Sequence, residues 1–224
     1  MFPPIRAGDP AMDSPHRGDY GARMLSNQIS TWPSFSEEEV AAAAAVIASN
    51  KVNYWTGQEG RQFEREFAEW AGSAHAVALA NGTLALDVAL KALDIGPGDE
   101  VIASPYGWHQ VAHAVTLAGA RLVFADIDYW SGCLDATRAA AQVTPATRAI
   151  LAGNVNGHPA AWAALRELAD ARGLALIEDS TEAIGSVYRG RPVGSFGDVS
   201  VFDFSQPSPM CCGCNPRRNP ARTG

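Results

Sequence analysis

Apolar and polar positions along the chain follow two different periods, which predict helices and strands in a definite order. One helix is predicted from the N-cap residue Ser36 through residue 48, and a second contains Phe63, Phe67 and Trp70 at helical spacing. Beyond residue 75, short apolar runs alternate with longer amphipathic segments. The runs predict strands at 76–79, 100–103, 122–127, 149–155, 174–178 and 199–204, and the segments predict helices at 84–93, 109–117 and 162–171.

This succession of strands and helices predicts an α/β fold. Repeated strand–helix units with short apolar strands are typical of a parallel or mostly parallel sheet, because the connecting helices cover both of its faces. We therefore expect one such sheet to form the framework of the protein.

Composition and charge then narrow the class of protein. The chain has 224 residues, of which 47% are hydrophobic and 18% charged, so it can build a substantial core and is not a disordered chain, a collagen or a coiled coil. Its formal net charge of −7 argues against a nucleic-acid partner, since such surfaces are usually basic. Residues 41–48 form the longest strongly apolar stretch and are too few to span a bilayer, and residues 1–23 lack the apolar core of a secretory signal. We expect a cytoplasmic protein with no membrane partner.

The cysteines offer only a weak case for a metal site. Cys211, Cys212 and Cys214 lie close together, but the Cys-Cys-x-Cys pattern has no matching second half, and the last histidine, His158, is far upstream. We expect no metal, and we expect Cys133 to be an ordinary loop or buried thiol.

Candidate chemistry lies where the predicted strands end, because open α/β sheets bind ligands outside the carboxyl ends of their strands. Gly82 and Thr83 begin a helix there and suit a phosphate group, although Asn-Gly-Thr is also an ordinary turn and N-cap. Trp108 suits a flat ring by stacking, or is a packing tryptophan. Asp179 can pair with a protonated ring nitrogen, ligate magnesium or cap a helix.

Several short motifs recur in a characteristic order along the chain. They are Asn-Gly-Thr at 81–83, Asp-Glu-Val-Ile at 99–102, Asp-Ile-Asp at 126–128, Glu-Asp at 178–179 and Gly-Ser-Phe-Gly-Asp at 194–198. Together they resemble the DegT/DnrJ/StrS family of pyridoxal-phosphate-dependent sugar aminotransferases, and the resemblance extends over about residues 26–213.

The resemblance implies a fold type I aminotransferase, with a large domain built on a mostly parallel sheet and a small C-terminal domain. Residues 24–204 would then be a partial large domain, preceded by a flexible leader at 1–23 and followed by an aberrant, unstructured tail at 205–224. The tail has four prolines, three cysteines and no acidic residue, so we expect a frameshift or premature end near Gly213 and a missing small domain. The family also implies a homodimer.

Site residues follow from the same resemblance, position by position. Gly82 and Thr83 would bind the phosphate of pyridoxal phosphate, Trp108 would stack on its ring, and Asp179 would hold its pyridine nitrogen. The reaction implied is transfer of an amino group from glutamate or glutamine to a nucleotide-linked keto sugar, in polysaccharide or antibiotic-sugar biosynthesis.

Four positions depart from the family pattern. Ser208 stands where the family has its Schiff-base lysine, and serine cannot form that bond. Asp203 stands where the family has a phosphate-binding serine, so a carboxylate would face the phosphate. Glu182 replaces a neutral residue near the ring hydroxyl, and Asn154 replaces a common histidine. We expect weak or absent cofactor binding and impaired transaminase activity.

Two other hypotheses stay open at this stage. The chain could be a non-catalytic paralogue that binds a nucleotide sugar or pairs with an active aminotransferase. It could also be a sugar dehydratase-like enzyme that uses pyridoxamine phosphate, a branch of the family in which histidine replaces the lysine. Ser208 does not match that histidine.

Overall fold

The structure is a computed structural model that describes residues 35–204. The predicted leader at 1–23, the tail at 205–224 with its three cysteines, and Ser208 lie outside the described residues. The helices are α1 Glu37–Ala48, α2 Glu59–Ala71, α3 Gly82–Ala92, α4 His109–Leu117, α5 Ala136–Ala141 and α6 Trp162–Arg172. The strands are β1 Glu100–Ala103, β2 Arg121–Phe124, β3 Thr147–Gly153, β4 Ala175–Asp179, β5 Val187–Tyr188, β6 Arg191–Pro192 and β7 Val199–Val201.

Five of the strands form one sheet in the order β2-β1-β3-β4-β7, and every neighbouring pair is parallel. The remaining two, β5 and β6, form a short antiparallel hairpin. The predicted α/β fold with a mostly parallel sheet is therefore confirmed. Because all five strands of the large sheet run in the same direction, their carboxyl ends meet along one edge.

Hydrophobic side chains fill both faces of the sheet, because successive strand residues point to opposite sides. One face packs on α5 and α6 through a buried cluster that includes Ile102, Ile150, Leu176, Trp162 and Leu165. The other face packs on α3 and α4 through a buried cluster that includes Val101, Leu151, Ile177, Leu90 and Val115. The prediction of helices on both faces is confirmed.

Capping residues in the sequence explain where two of the helices begin. Ser36 accepts a hydrogen bond from the Glu39 N–H at 3.2 Å, and the Glu39 carboxylate accepts one from the Ser36 N–H at 2.7 Å, which forms a capping box for α1. Asp135 caps the short helix α5 through the Arg138 N–H at 2.9 Å. This helix and the β5–β6 hairpin have weak periodicity, and the pattern analysis missed both.

Several strand predictions differ from the structure, since the strands predicted at 122–127 and 149–155 lie at Arg121–Phe124 and Thr147–Gly153. Residues 76–79 are not a strand in the structure, and Val77 is 72% exposed, because no described strand pairs with this segment. The strand predicted at 199–204 ends at Val201. Phe202 and Phe204 instead pack edge-on against Phe67 of α2, at ring-centroid distances of 4.9 and 5.6 Å. An apolar run thus continues past the strand to reach a helix.

Within residues 35–204, the helices are all too short or too polar to cross a membrane.

Candidate functional site

A cavity of about 250 Å³ lies at the carboxyl ends of the parallel strands. Its walls are the loops that follow β1, β3 and β4, the start of α4, and Leu122 and Phe124 of β2. Four of the residues singled out in the sequence line it, namely Trp108, Asn154, Asp179 and Glu182. We refer to it as the strand-end cavity. The parallel sheet brings these four side chains together although they follow or end different strands.

Glu182 links two walls of this cavity. One of its carboxylate oxygens accepts a hydrogen bond from the Trp108 indole N–H at 2.7 Å, and the other accepts one from the Asn156 backbone N–H at 2.9 Å. Charge-assisted bonds of this kind are stronger than neutral ones, so they hold the indole in place. Trp108 is 41% exposed, which leaves part of its ring accessible from the solvent.

Asp179 ends β4, and its surroundings raise the pKa of its carboxyl above the ordinary value. Burial raises the pKa of this carboxyl, hydrogen bonds from Thr181 oppose the rise, and the negative charges of Glu182 and Asp203 add to it. The Thr181 backbone N–H donates to Asp179 at 3.1 Å. A ring cation beside Asp179 would oppose this rise, because an opposite charge stabilises the ionised carboxylate.

The start of α3 is the predicted phosphate site, and it already holds a carboxylate. The Gly82 backbone N–H donates to the Asp203 carboxylate at 2.9 Å, while Asn81 caps the helix through the Leu84 N–H at 2.9 Å. A Cβ added at Gly82 would lie 2.6 Å from the Asp203 carboxylate oxygen, so only glycine fits beside it. Thr83 follows on the same first turn and is partly buried.

The predicted site residues therefore form two groups. Trp108, Asp179 and Glu182 line the strand-end cavity, whereas Gly82 and Asp203 contact each other at the start of α3 and lie outside its lining. The two groups are close enough for the charge of Asp203 to raise the pKa of Asp179.

The residues present fit only one end of pyridoxal phosphate. The exposed part of the Trp108 ring suits a flat pyridine, and the cavity is large enough to accept one. At the other end, the Gly82 N–H that a phosphate would need is taken by Asp203, whose charge would also repel the phosphate. The described residues do not fit the complete cofactor.

Glu178, next to Asp179, belongs to a recognised motif, but its role in the fold was not predicted from the sequence. It is fully buried and accepts six hydrogen bonds, three of them from the backbone N–H groups of Gly194, Phe196 and Gly197 at 2.6 to 3.2 Å. These bonds hold the loop at 194–197 against β4. A glutamate inside an apolar strand was the available signal, because such a charge is buried only when it is well bonded.

Asn154 proves to be part of the same structural network. Its amide nitrogen donates to Glu178 and Ser180 at 3.0 and 2.8 Å. Its amide oxygen accepts from the Ala160 N–H and the Trp162 indole N–H at 2.9 and 2.8 Å. Both the nitrogen and the oxygen of the Asn154 side-chain amide are therefore bonded to protein groups. The asparagine that replaces the common histidine thus has a structural role in the fold.

Cys133 is buried, as expected, and burial raises the pKa of its thiol.

Comparison with known proteins agrees with the motifs. The model of the DegT/DnrJ/EryC1/StrS aminotransferase family matches residues 33–214. UDP-N-acetyl-3-dehydro-alpha-D-glucosamine 3-aminotransferase of Acidithiobacillus ferrooxidans is 43% identical over 153 residues, which cover 68% of this chain and 42% of that protein. GDP-perosamine synthase of Caulobacter vibrioides is 38% identical over 176 residues, which cover 74% of this chain and 47% of that protein.

A solved structure shows the same likeness. The aminotransferase from Psychrobacter cryohalolentis superimposes with a TM-score of 0.79 at 47% identity, over 81% of this chain and 46% of that one. This chain thus spans less than half the length of these relatives. Because the family model matches most of its residues, the protein belongs to the DegT/DnrJ/EryC1/StrS aminotransferase family.

Proposed function

We propose that this chain is a member of the nucleotide-sugar aminotransferases whose own transaminase activity is impaired. The impairment arises because the chain binds the phosphate group of the cofactor poorly. Pyridoxal phosphate is the cofactor of this family, and it supplies the electron sink for amino transfer. The observation that carries the proposal is the Asp203 carboxylate on the Gly82 N–H, at the helix start where a phosphate would bind. Ser208 at the lysine position is the second reason, from sequence alone.

The substrate class that we propose is a nucleotide-linked keto sugar, with glutamate or glutamine as the amino donor. The names of two relatives, one acting on a UDP-linked dehydro sugar and one a GDP-perosamine synthase, support this class. We also propose a homodimer. Tyr129 and Trp130, at 83% and 89% exposure, are the kind of large apolar side chains that a partner subunit would cover.

A second candidate, a non-catalytic paralogue, is favoured by how the site satisfies its own polar groups. Glu182 bonds both Trp108 and Asn156, and Asp203 bonds Gly82, so these groups need no ligand to complete them. Such a chain would bind a nucleotide sugar, or pair with an active aminotransferase, without catalysing amino transfer.

The test is a titration of the full chain with pyridoxal phosphate, followed by visible absorbance, by borohydride reduction and by an amino-transfer assay with glutamate and a UDP-linked keto sugar. We expect little retained cofactor and no product. Retention that borohydride makes permanent, together with product, would overturn the impairment. Retention without a covalent bond would instead favour the pyridoxamine-phosphate enzyme, and co-purification with a full-length relative would favour the paralogue.

A further inference from the structure

A second cavity, of about 480 Å³, lies on the face of the sheet covered by α6. It is an open cavity bordered by α6, the β5–β6 hairpin and the loop at 195–197, and it shares no lining residue with the strand-end cavity. Its lining contains three arginines, Arg166, Arg189 and Arg191, and no acidic residue. We call it the arginine cavity. On a chain with a net charge of −7, such a concentration of positive charge is unexpected.

The three arginines differ in how their charges are matched. Arg166 is committed to the protein, because it pairs with Asp198 at 3.0 Å and with Asp170 at 3.3 Å. Within the described residues, no carboxylate lies within ion-pair distance of Arg189 or Arg191. Two guanidinium groups on the wall of one cavity are therefore available to an anion.

Each of these two guanidinium groups lies over an aromatic ring, although both arginines are exposed. The Arg189 guanidinium lies 5.3 Å from the centre of the Tyr188 ring, and that of Arg191 lies 4.9 Å from the centre of the Phe196 ring. Arg191 also donates to the Ser195 carbonyl at 2.7 Å, which leaves its other N–H groups unused by that bond. Such contacts restrict the side chains before any ligand arrives, which lowers the entropy lost on binding.

The Phe196 ring also contacts a second aromatic side chain. It stacks on the buried Trp162 at 6.0 Å between centroids, with the planes only 5° apart. This packing fixes the ring that lies beneath the Arg191 guanidinium.

The position of Arg189 in the hairpin is unusual for its residue type. Arg189 and Gly190 form the two-residue turn between β5 and β6, with φ values of +51° and +81°. Turns of this kind strongly favour asparagine, aspartate or glycine at the first position, because a larger side chain is strained there. Turn geometry therefore does not account for an arginine at this position.

We propose that the arginine cavity binds a phosphate or diphosphate group through Arg189 and Arg191. Guanidinium groups form paired hydrogen bonds to phosphate oxygens, and two unmatched ones suit the charge of a dianion or of a diphosphate. The site is independent of the proposed function, because it uses none of the residues of the strand-end cavity.

The experiment is isothermal titration calorimetry of the full chain with inorganic pyrophosphate, in a phosphate-free buffer of low ionic strength. We expect saturable binding, and a loss of about tenfold in affinity for each arginine removed in R189N and R191Q. Asparagine suits the left-handed conformation at position 189, so R189N removes the charge without disturbing the hairpin. Thermal unfolding of each variant checks that the fold persists.

The matched control is R61Q. Arg61 also lies over a tyrosine ring, 4.8 Å from the centre of Tyr54, but it is on α2 and outside the arginine cavity. R61Q should bind pyrophosphate as the unmodified chain does. Three results would each overturn the proposal. The R189N/R191Q double variant could bind pyrophosphate as tightly as the unmodified chain, R61Q could lose as much affinity as the cavity variants, or the unmodified chain could show no saturable binding.

Two further titrations distinguish the source of the anion. Binding of inorganic phosphate that depends on Arg189 and Arg191 would assign the cavity to a free anion. Tighter, arginine-dependent binding of UDP than of pyrophosphate would assign it to the diphosphate of a nucleotide. Both results support a phosphate site in the arginine cavity. If UDP binds equally well to the R189N and R191Q variants, the phosphate site is contradicted.

Discussion

The carboxylate of Asp203 accepts a hydrogen bond from the backbone N–H of Gly82 at 2.9 Å, although 121 positions separate the two residues along the chain. Gly82 is the first residue of α3, so the bond places a negative charge at the positive end of the helix dipole. The protein thereby supplies, from its own side chain, the kind of group that a phosphate ligand would otherwise provide.

Replacing Asp203 should release this helix start. We expect D203S to bind pyridoxal phosphate about tenfold more tightly than the unmodified chain, because the N–H of Gly82 becomes available and a repelling charge disappears. Equilibrium dialysis of the full chain measures the change. D94N is the control, since it removes one exposed carboxylate from a turn remote from the Gly82 contact. If D203S and D94N bind pyridoxal phosphate equally tightly, the gain in affinity comes from the change in net charge and not from the Gly82 N–H.

Asp179 should make stability depend on pH in a particular direction. Its pKa is raised in the folded chain, first by burial, so folding favours the protonated form. That contribution to stability is fully present below the ordinary aspartate pKa, and it is lost as the pH rises through the folded value. D179N should therefore be more stable than the unmodified chain at neutral pH, and the difference should vanish in acid.

The measurement for Asp179 is the thermal midpoint of both proteins across a series of pH values. Asparagine keeps an oxygen that can accept from the Thr181 N–H, so the comparison isolates the charge. A gap between the two midpoints that widens toward acid would contradict the assigned direction.

Glu178 should be critical for stability rather than for chemistry. In E178Q one side-chain oxygen becomes an NH₂ group, and either orientation of the amide places it against three hydrogen-bond donors. We expect a loss of about 3 kcal/mol in the free energy of unfolding, measured by urea denaturation. E167Q, at an exposed position of α6, should leave it unchanged. If E178Q and E167Q both change the free energy of unfolding only slightly, the hydrogen bonds of Glu178 are not needed for stability.

Gly194 should tolerate no side chain, for two separable reasons. It has a φ of +92°, and a Cβ there would collide with the ring of Phe202. Gly98 has a nearly equal φ of +94° but has open space around it. G98A should therefore cost about 1 kcal/mol from backbone strain alone. G194A should cost about 2–4 kcal/mol, because the collision adds to the strain.

Urea denaturation of the two alanine variants separates these contributions. Equal losses in G98A and G194A would mean that Phe202 moves aside freely, and that the aromatic packing between β7 and α2 is loose.

The periodicity of apolar residues was sufficient to predict the parallel sheet and most of the helices that pack on it. The strand at Glu100–Ala103 and the helix at His109–Leu117 have the bounds that were predicted, because their apolar runs stop at clear turn residues. It failed at residues 76–79, where the run is apolar but no described strand lies beside it. Strand formation needs a hydrogen-bonded neighbour, and a neighbour is not a local property.

The sequence by itself determined the α/β class, the family and the residues that the family motifs single out, since these depend on spacing along the chain. Only the tertiary structure decided what those residues contact. It brought Trp108 to Glu182, placed Asp203 on Gly82 and buried Glu178 beneath a loop that begins sixteen residues later. Hydrogen bonds and charges act over a few ångströms, and folding alone sets which distant residues come that close.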